Sequence, residues 1–389
     1  MSRLRRRRAD LAGPDSAQRL ASLGVDVFFG PASFSGVRSV TVASDMDQAP
    51  ARLRFRKAVI ATGSRPVVPS ISGLADTPFV TNETVFDLTE QPGELAVIGG
   101  GPTGCELAQA FARLGTRVTL VESGRQVLSR EDRDAAELVE SRLRQDGVDV
   151  LLRTELASVR PEGGRVVVKH VGGALTVDLL LVASGRAPRV SGLGLEAAGI
   201  EYNEDGVIVD DRLQTTNSRV YAAGDVCSQY KFTHAADAMA RLVVRNALFF
   251  GRARVSSLVI PWCTFTSPEV GHVGVSGDEA AAHGAASVTI PLSSVDRAVV
   301  DEATDGFVRL YHRRGRILGA TVVAPDAGEI ISAITLAMKY RGTLSDLAAA
   351  VFPYPTLSIA LRQAGDAYRR SAVTPRVRRA LQYYFDVLR

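Results

Sequence analysis

The chain has 389 residues, 46% of them hydrophobic and 23% charged, which excludes a disordered, collagenous or fibrous protein and leaves room for two or three domains. Lys plus Arg exceed Asp plus Glu by 46 − 42 = 4. With Arg3, Arg5, Arg6, Arg7 and Arg8 crowded at the start, that excess gives no nucleic-acid footprint. Cys105, Cys227 and Cys263 lie far apart without a C-x-x-C spacing, which disfavours a disulfide scaffold and a structural zinc site.

The arginine-rich start runs into Asp10 and Asp15 rather than an apolar signal core. No apolar run reaches the roughly 18 residues of a membrane span. The expectation is a soluble, cytoplasmic protein with no membrane partner. Continuous apolar runs, each closing near a glycine or an acid, then occur at Ala58–Gly63, Leu95–Gly99 and Arg117–Glu122. Such runs mark strands buried on both faces, as in a parallel sheet covered by helices. Glu106–Leu114 reads as a helix, and Ala135, Leu138, Val139 and Leu143 repeat at helical spacing before Gly147. Alternating strands and helices define an α/β fold.

The segments Val150–Leu152, Val166–Val168 and Leu179–Val182, separated by Gly163-Gly164 and Gly172-Gly173, read as antiparallel hairpins. A further strand pair is expected at Val207–Val209 and Arg219–Ala222. Beyond Ile260 the pattern is mixed, with strands at Ala286–Pro291, Phe307–Tyr311 and Ile317–Val323 and a helix at Glu329–Tyr340. This tail reads as a separate α+β domain. His170, His234, His272, His283 and His312 show no metal-ligand spacing, so no metal site is expected.

The sharpest local signal is Gly99-Gly100-Gly101-Pro102-Thr103-Gly104-Cys105-Glu106, a G-x-G-x-x-G between a strand and a helix. Gly99, Gly101 and Gly104 supply a tight turn, close backbone approach to a pyrophosphate, and a helix N-terminus whose N–H groups bind anions. Glu122 ends the next strand 18 residues beyond Gly104, near the interval expected for the acid that holds a ribose. Its carboxylate would repel a 2′-phosphate, so NAD is favoured over NADP, a preference that Arg125 tempers. Cys105, just inside the helix, reads as a small packing residue, although a helix dipole there would lower its pKa.

The order of Ala61-Thr62-Gly63-Ser64-Arg65-Pro66, the glycine loop, Gly185-Arg186-Ala187-Pro188, Thr215-Thr216 and Tyr221-Ala222-Ala223-Gly224-Asp225 resembles the class I FAD-dependent pyridine nucleotide–disulfide oxidoreductases. Phe265–Gly271, Ala327–Ile331 and Tyr354–Ser358 extend the resemblance, which lies closest to the mercuric reductase and dihydrolipoyl dehydrogenase branch. It implies FAD/NAD(P)-binding Rossmann-like domains plus a C-terminal α+β dimerisation domain. Residues 1–81 and 186–258 would form a partial FAD-binding domain, 82–185 the NAD-binding domain and 259–389 the dimerisation domain of a homodimer. The glycine loop, Gly100 included, would cradle NAD, with Glu106 and Gly185 near the nicotinamide and Glu122 on the adenine ribose. Thr62 and Gly63 would lie against FAD, and Asp225 would bond its ribityl chain. The helix after Thr233-His234 would point its N-terminus at the flavin.

The stretch Leu20–Phe29 resembles the strand that precedes the family's middle β-ribbon, which places Met1 downstream of the N-terminal FAD glycine loop and the redox cysteine pair. The family's His-Pro-Thr-x-x-Glu stands here as Tyr354-Pro355-Thr356-Leu357-Ser358-Ile359. A tyrosine titrating near 10 is a poor proton shuttle for dithiols, so Tyr354 either donates a hydrogen bond to a different, polar or metal-bound acceptor or is an interface aromatic. The implied function is hydride transfer from NAD(P)H through flavin to a small-molecule or metal-ion acceptor. The alternatives are a truncated, catalytically inert NADH-binding dimer, or a fragment of a dithiol-dependent reductase.

Overall fold

In the computed structural model, residues 1–43, 49–371 and 373–388 are described. The chain divides into two compact units, Met1–Gly93, Ser158–Val168 and Leu175–Leu258 in one, Glu94–Ala157, Lys169–Ala174 and Val259–Arg389 in the other.

The first unit is assembled from short strands whose partners lie far away in sequence. Ala58–Ile60 runs parallel to Val220–Ala222, and Ser64–Pro66 pairs antiparallel with Arg186–Pro188. Val80–Thr81 runs parallel to residues Leu181 and Val182 of the strand Leu179–Val182. Ile60, Leu195, Ile200, Val207, Val220 and Val226 are buried together, which holds the Ala58–Ile60/Val220–Ala222 pair. The helix Thr233–Leu248 buries Ala235, Met239, Leu242 and Val243, spaced at i, i+4, i+7 and i+8. Ala32–Gly36, Ser39–Val42 and Ala51–Arg54 form an antiparallel three-stranded sheet.

Three sequence expectations are corrected in this part of the chain. Leu20–Phe29 contains no strand: Ser16 caps a short helix, Ala17–Ser22, which Gly24 ends at φ +81°, and the apolar residues that follow pair with no strand among the described residues. Val207 pairs in Tyr202–Asn203/Gly206–Val207, while Val220–Ala222 is taken by Ala58–Ile60, so these two segments do not form one ladder. The glycine pairs do separate short strands, Leu156–Glu162, Arg165–His170 and Gly173–Val177, which form one three-stranded sheet. Val148–Leu151 and Leu179–Val182, however, lie in parallel pairs rather than hairpins.

In the second unit Glu94–Ile98, Arg117–Val121 and Val148–Leu151 are parallel neighbours in that order. Leu95, Ala96 and Val97 are all fully buried, as continuous hydrophobicity requires of a doubly covered strand. The helices Pro102–Arg113 and Arg133–Gln145 cross between them. The C-terminal part carries an antiparallel sheet ordered Pro261–Thr264, Glu269–Gly274, Arg316–Ala324, Phe307–Arg313 and Ala286–Pro291. Its core joins Val308, Leu310 and Val322 to Ile330, Ile331 and Ile334 of the helix Ala327–Lys339 and to Leu361 and Ala364 of Ile359–Ser371.

Candidate nucleotide and cofactor sites

The glycine loop owes its shape to one close approach. A Cβ at Gly104 would stand 1.9 Å from the Gly99 carbonyl oxygen, so only glycine lets helix and strand meet here. Gly99 itself takes φ +106°. In front of Gly101 the space is open to at least 4 Å, and Pro102 starts the helix where a missing N–H costs nothing.

Glu122 is built into this loop. Its Oε2 accepts the Gly100 N–H and its Oε1 the Gly124 N–H, both at 2.6 Å. The Leu128 N–H donates to the Gly100 carbonyl at 2.8 Å. The carboxylate therefore clamps the glycine loop; Oε1 also accepts the Ser123 hydroxyl at 3.4 Å, and Oε2 retains a further lone pair for a sugar hydroxyl. Spacing pointed to Glu122 as a ribose ligand; the clamp itself was not legible in it.

One face of the same helix holds the start of the C-terminal part. Glu106 Oε1 accepts the Phe265 N–H at 2.8 Å, and Gln109 accepts the Ser267 N–H at 2.8 Å while donating to its carbonyl at 2.9 Å. Burial raises the Glu106 carboxyl above its usual range, and the Phe265 bond partly offsets this. Gln109, only 4% exposed, was missed by sequence reasoning. The available signal was a polar residue three positions after Glu106 and four before Arg113, on one helix face. Cys105 is fully buried, and burial followed by the Glu106 and Glu122 charges pushes its thiol upward. The dipole-activated alternative is thereby corrected: desolvation outweighs the helix terminus, and Cys105 packs.

In the other unit, Asp225 accepts the Ser64 hydroxyl at 2.5 Å, and the Arg186 guanidinium lies 3.7 Å from the same oxygen. Arg186 also donates to Ser64 Oγ at 2.7 Å. This triangle joins the Thr62-Gly63-Ser64 turn, the Gly185-Arg186 turn and Asp225. Gly63 and Gly185 both have positive φ, +69° and +113°, with open space where a side chain would stand. Thr62 turns its hydroxyl onto the Arg189 carbonyl at 2.8 Å. The helix Thr233–Leu248 begins without a side-chain cap bond and without an acid in its first turn, so its N-terminal dipole is not neutralised locally.

Tyr354 is 71% exposed and donates to Asp296 Oδ2 at 2.9 Å, a contact that raises the phenol above its ordinary value. Glycine loop, Glu106 and Glu122 thus share one unit with Tyr354, and Thr62, Gly63, Gly185 and Asp225 share the other.

A glycine-loop parallel fold with an appended antiparallel domain is the build of a dinucleotide-binding oxidoreductase. The model of the pyridine nucleotide-disulphide oxidoreductase family matches residues 13–240, and that of its dimerisation domain matches residues 260–364. The chain belongs to this family, with FAD/NAD(P)-binding Rossmann-like domains followed by an α+β dimerisation domain. A mercuric reductase of Acidithiobacillus ferrooxidans is 39% identical over 351 residues, covering 89% of this chain and 64% of that protein. The probable pyridine nucleotide-disulfide oxidoreductase RclA of Escherichia coli is 34% identical over 344 residues, covering 87% of this chain and 78% of RclA. The solved structure of the HOCl-induced flavoprotein disulfide reductase RclA superposes with a TM-score of 0.86 at 31% identity, over 93% of this chain and 85% of that one. LpdA from Mycobacterium tuberculosis gives 0.84 at 31% identity, over 92% and 81%. The chain thus spans less than two thirds of the Acidithiobacillus protein's length. Among the described residues no helix is long and apolar enough to cross a membrane.

Proposed function

We propose that the chain is a homodimeric, FAD-dependent oxidoreductase that takes reducing equivalents from NADH, in preference to NADPH, and gives them to a small-molecule or metal-ion acceptor. The observation that carries this reading is the Gly99–Gly104 loop clamped by Glu122 at the start of the helix Pro102–Arg113. Its fit to a dinucleotide is supported by the close helix–strand approach that only glycine permits at Gly104 and by the open space before Gly101. When bound, the nicotinamide and flavin groups supply two-electron hydride chemistry toward the acceptor.

The residues have separate tasks. Gly99, Gly100, Gly101 and Gly104 present backbone to the diphosphate, Glu122 takes the adenine ribose, and Glu106 lies on the nicotinamide side. Thr62 and Gly63 border the flavin, Asp225 accepts from its ribityl hydroxyls, and the N-terminus of Thr233–Leu248 favours negative charge on the ring. We assign residues 1–81 and 186–258 to the flavin, 82–185 to NAD and 259–389 to dimerisation. Tyr354 is the hydroxyl we place at the acceptor. The Cu(II) complex of RclA and the mercuric reductases support a metal ion as that acceptor.

Purified protein tests the proposal. A yellow preparation whose colour NADH bleaches, and which an added metal ion or small oxidant restores, is expected. A colourless preparation that gains no flavin from added FAD overturns it.

A further inference from the structure

The second unit buries a titratable pair that the proposed reaction does not use. Glu131 has a side chain only 3% exposed, and its Oε1 accepts the Trp262 indole N–H at 2.6 Å. Its Oε2 is buried without a hydrogen-bond partner and lies 3.9 Å from Nδ1 of His272, whose side chain is 1% exposed. The imidazole stacks on Trp262 with ring centroids 4.4 Å apart. His272 Nε2 is 3.2 Å from the Gly274 carbonyl, and Nδ1 is 3.1 Å from the Thr321 hydroxyl. A carbonyl oxygen only accepts, so Nε2 carries a hydrogen, and in the neutral ring Nδ1 is left to take a proton.

An ionised Glu131 facing a neutral His272 would leave a buried carboxylate oxygen with no donor, which desolvation strongly opposes. One added proton removes the conflict. On Oε2 it makes a neutral acid facing Nδ1; on Nδ1 it makes an imidazolium that donates to Thr321 beside its counter-charge. Both forms are neutral overall.

We propose that Glu131 and His272 form a buried proton-binding site, holding one shared proton on the acid side of neutrality and fastening the segment after Glu122 to the C-terminal sheet. The fastening is continuous with the glycine loop. The Gln126 amide donates to the Glu131 carbonyl at 3.3 Å, and Leu128 donates to Gly100.

The other charged groups facing the pair are already engaged or leave the balance as it is. Asp132 accepts from Tyr311, from the Gly277 N–H at 2.8 Å and from Arg309 at 3.3 Å. Burial pushes Glu131 up to about 7; the Trp262 bond opposes this, Asp132 adds to it, and Arg130 opposes it. Burial pulls His272 down, against the Gly274 bond and the Asp132 and Glu279 charges. Rising pH therefore empties the site close to neutrality, in agreement with the geometry.

Trp262 is the chain's only tryptophan, so its emission reads this site alone. Titration of the full chain between about pH 5 and about pH 9 should give one reversible single-proton transition in Trp262 fluorescence while circular dichroism stays native. Glu131→Gln should flatten it. A flat wild-type titration overturns the proposal, as does an unchanged transition in folded Glu131→Gln. Should that variant not fold, His272→Gln takes its place. Its transition should lose amplitude or move by about tenfold or more in proton concentration, and an unmoved transition overturns the proposal.

Discussion

Gly104→Ala sets two effects of known sign against each other at the centre of the nucleotide site. The added Cβ would lie 1.9 Å from the Gly99 carbonyl oxygen and 3.1 Å from its carbon. Reaching even a 3.0 Å contact requires loop and helix to part by 3.0 − 1.9 = 1.1 Å. Gly104 lies within a helix and shows no positive φ, so alanine also gains helix propensity, about 1 kcal/mol. Overpacking costs about 1–3 kcal/mol, and a clash with main chain rather than a flexible side-chain end falls at the upper limit. The clash wins by about 1–2 kcal/mol, a fall in Tm of a few degrees. Nucleotide affinity should suffer more. A parting of about 1 Å takes the backbone N–H groups off the diphosphate, and a tenfold or greater loss, about 1.4 kcal/mol or more, is expected. Isothermal calorimetry with NADH, beside a thermal melt, separates the two effects. A folded Gly104→Ala protein that binds NADH as wild type does would refute the reasoning.

Three further outcomes follow from particular contacts. Glu122→Gln turns an amide donor toward one of two backbone N–H groups and should cost about 1–3 kcal/mol of stability; it should also narrow the preference for NADH over NADPH, and unchanged selectivity would count against the ribose role. Asp225→Ala removes the acceptor shared by Ser64 and Arg186, so the purified variant should lose flavin absorbance, and wild-type flavin content would remove this residue from the site. Burial holds Glu131 up to about 7 against a usual 4.5 and pulls His272 below its usual 6.5. Between 4.5 and 6.5 the folded pair therefore keeps one proton, as the unfolded pair does on its histidine, and the two opposed slopes largely cancel. Chemical denaturation at each pH should show little slope from this pair in wild type, whereas in Glu131→Gln the uncompensated His272 should make stability rise with pH through that window; equal slopes in the two proteins would count against the pairing.

What could be read in advance depended on how local the cause was. Leu95–Ile98 and Arg117–Val121 announced themselves because a strand covered on both faces must be apolar throughout, and the glycine loop because one close backbone approach demands one residue type. Pairings between distant segments were not legible. Val148–Leu151 and Val220–Ala222 carry the right composition for strands, but their partners are selected by tertiary packing rather than by the adjacent glycines. Leu20–Phe29 has strand-like residues, but the capped helix Ala17–Ser22 takes its first part and the rest is assigned to no strand. At the site, Glu122 was marked by spacing, whereas its clamp on Gly100, the Glu106–Phe265 bond and the Glu131–Trp262–His272 cluster join residues 22, 159 and 131 or more positions apart.

Thermal melting of the purified chain across an NADH titration tests the Gly99–Glu122 segment as a dinucleotide cradle most directly. A ligand bound only by the folded state adds about 2.7 kcal/mol at a hundredfold excess over its Kd. The expected result is a melting temperature that climbs with NADH and that climbs less, or not at all, in Gly104→Ala. A melting temperature indifferent to NADH at every concentration would contradict the assignment.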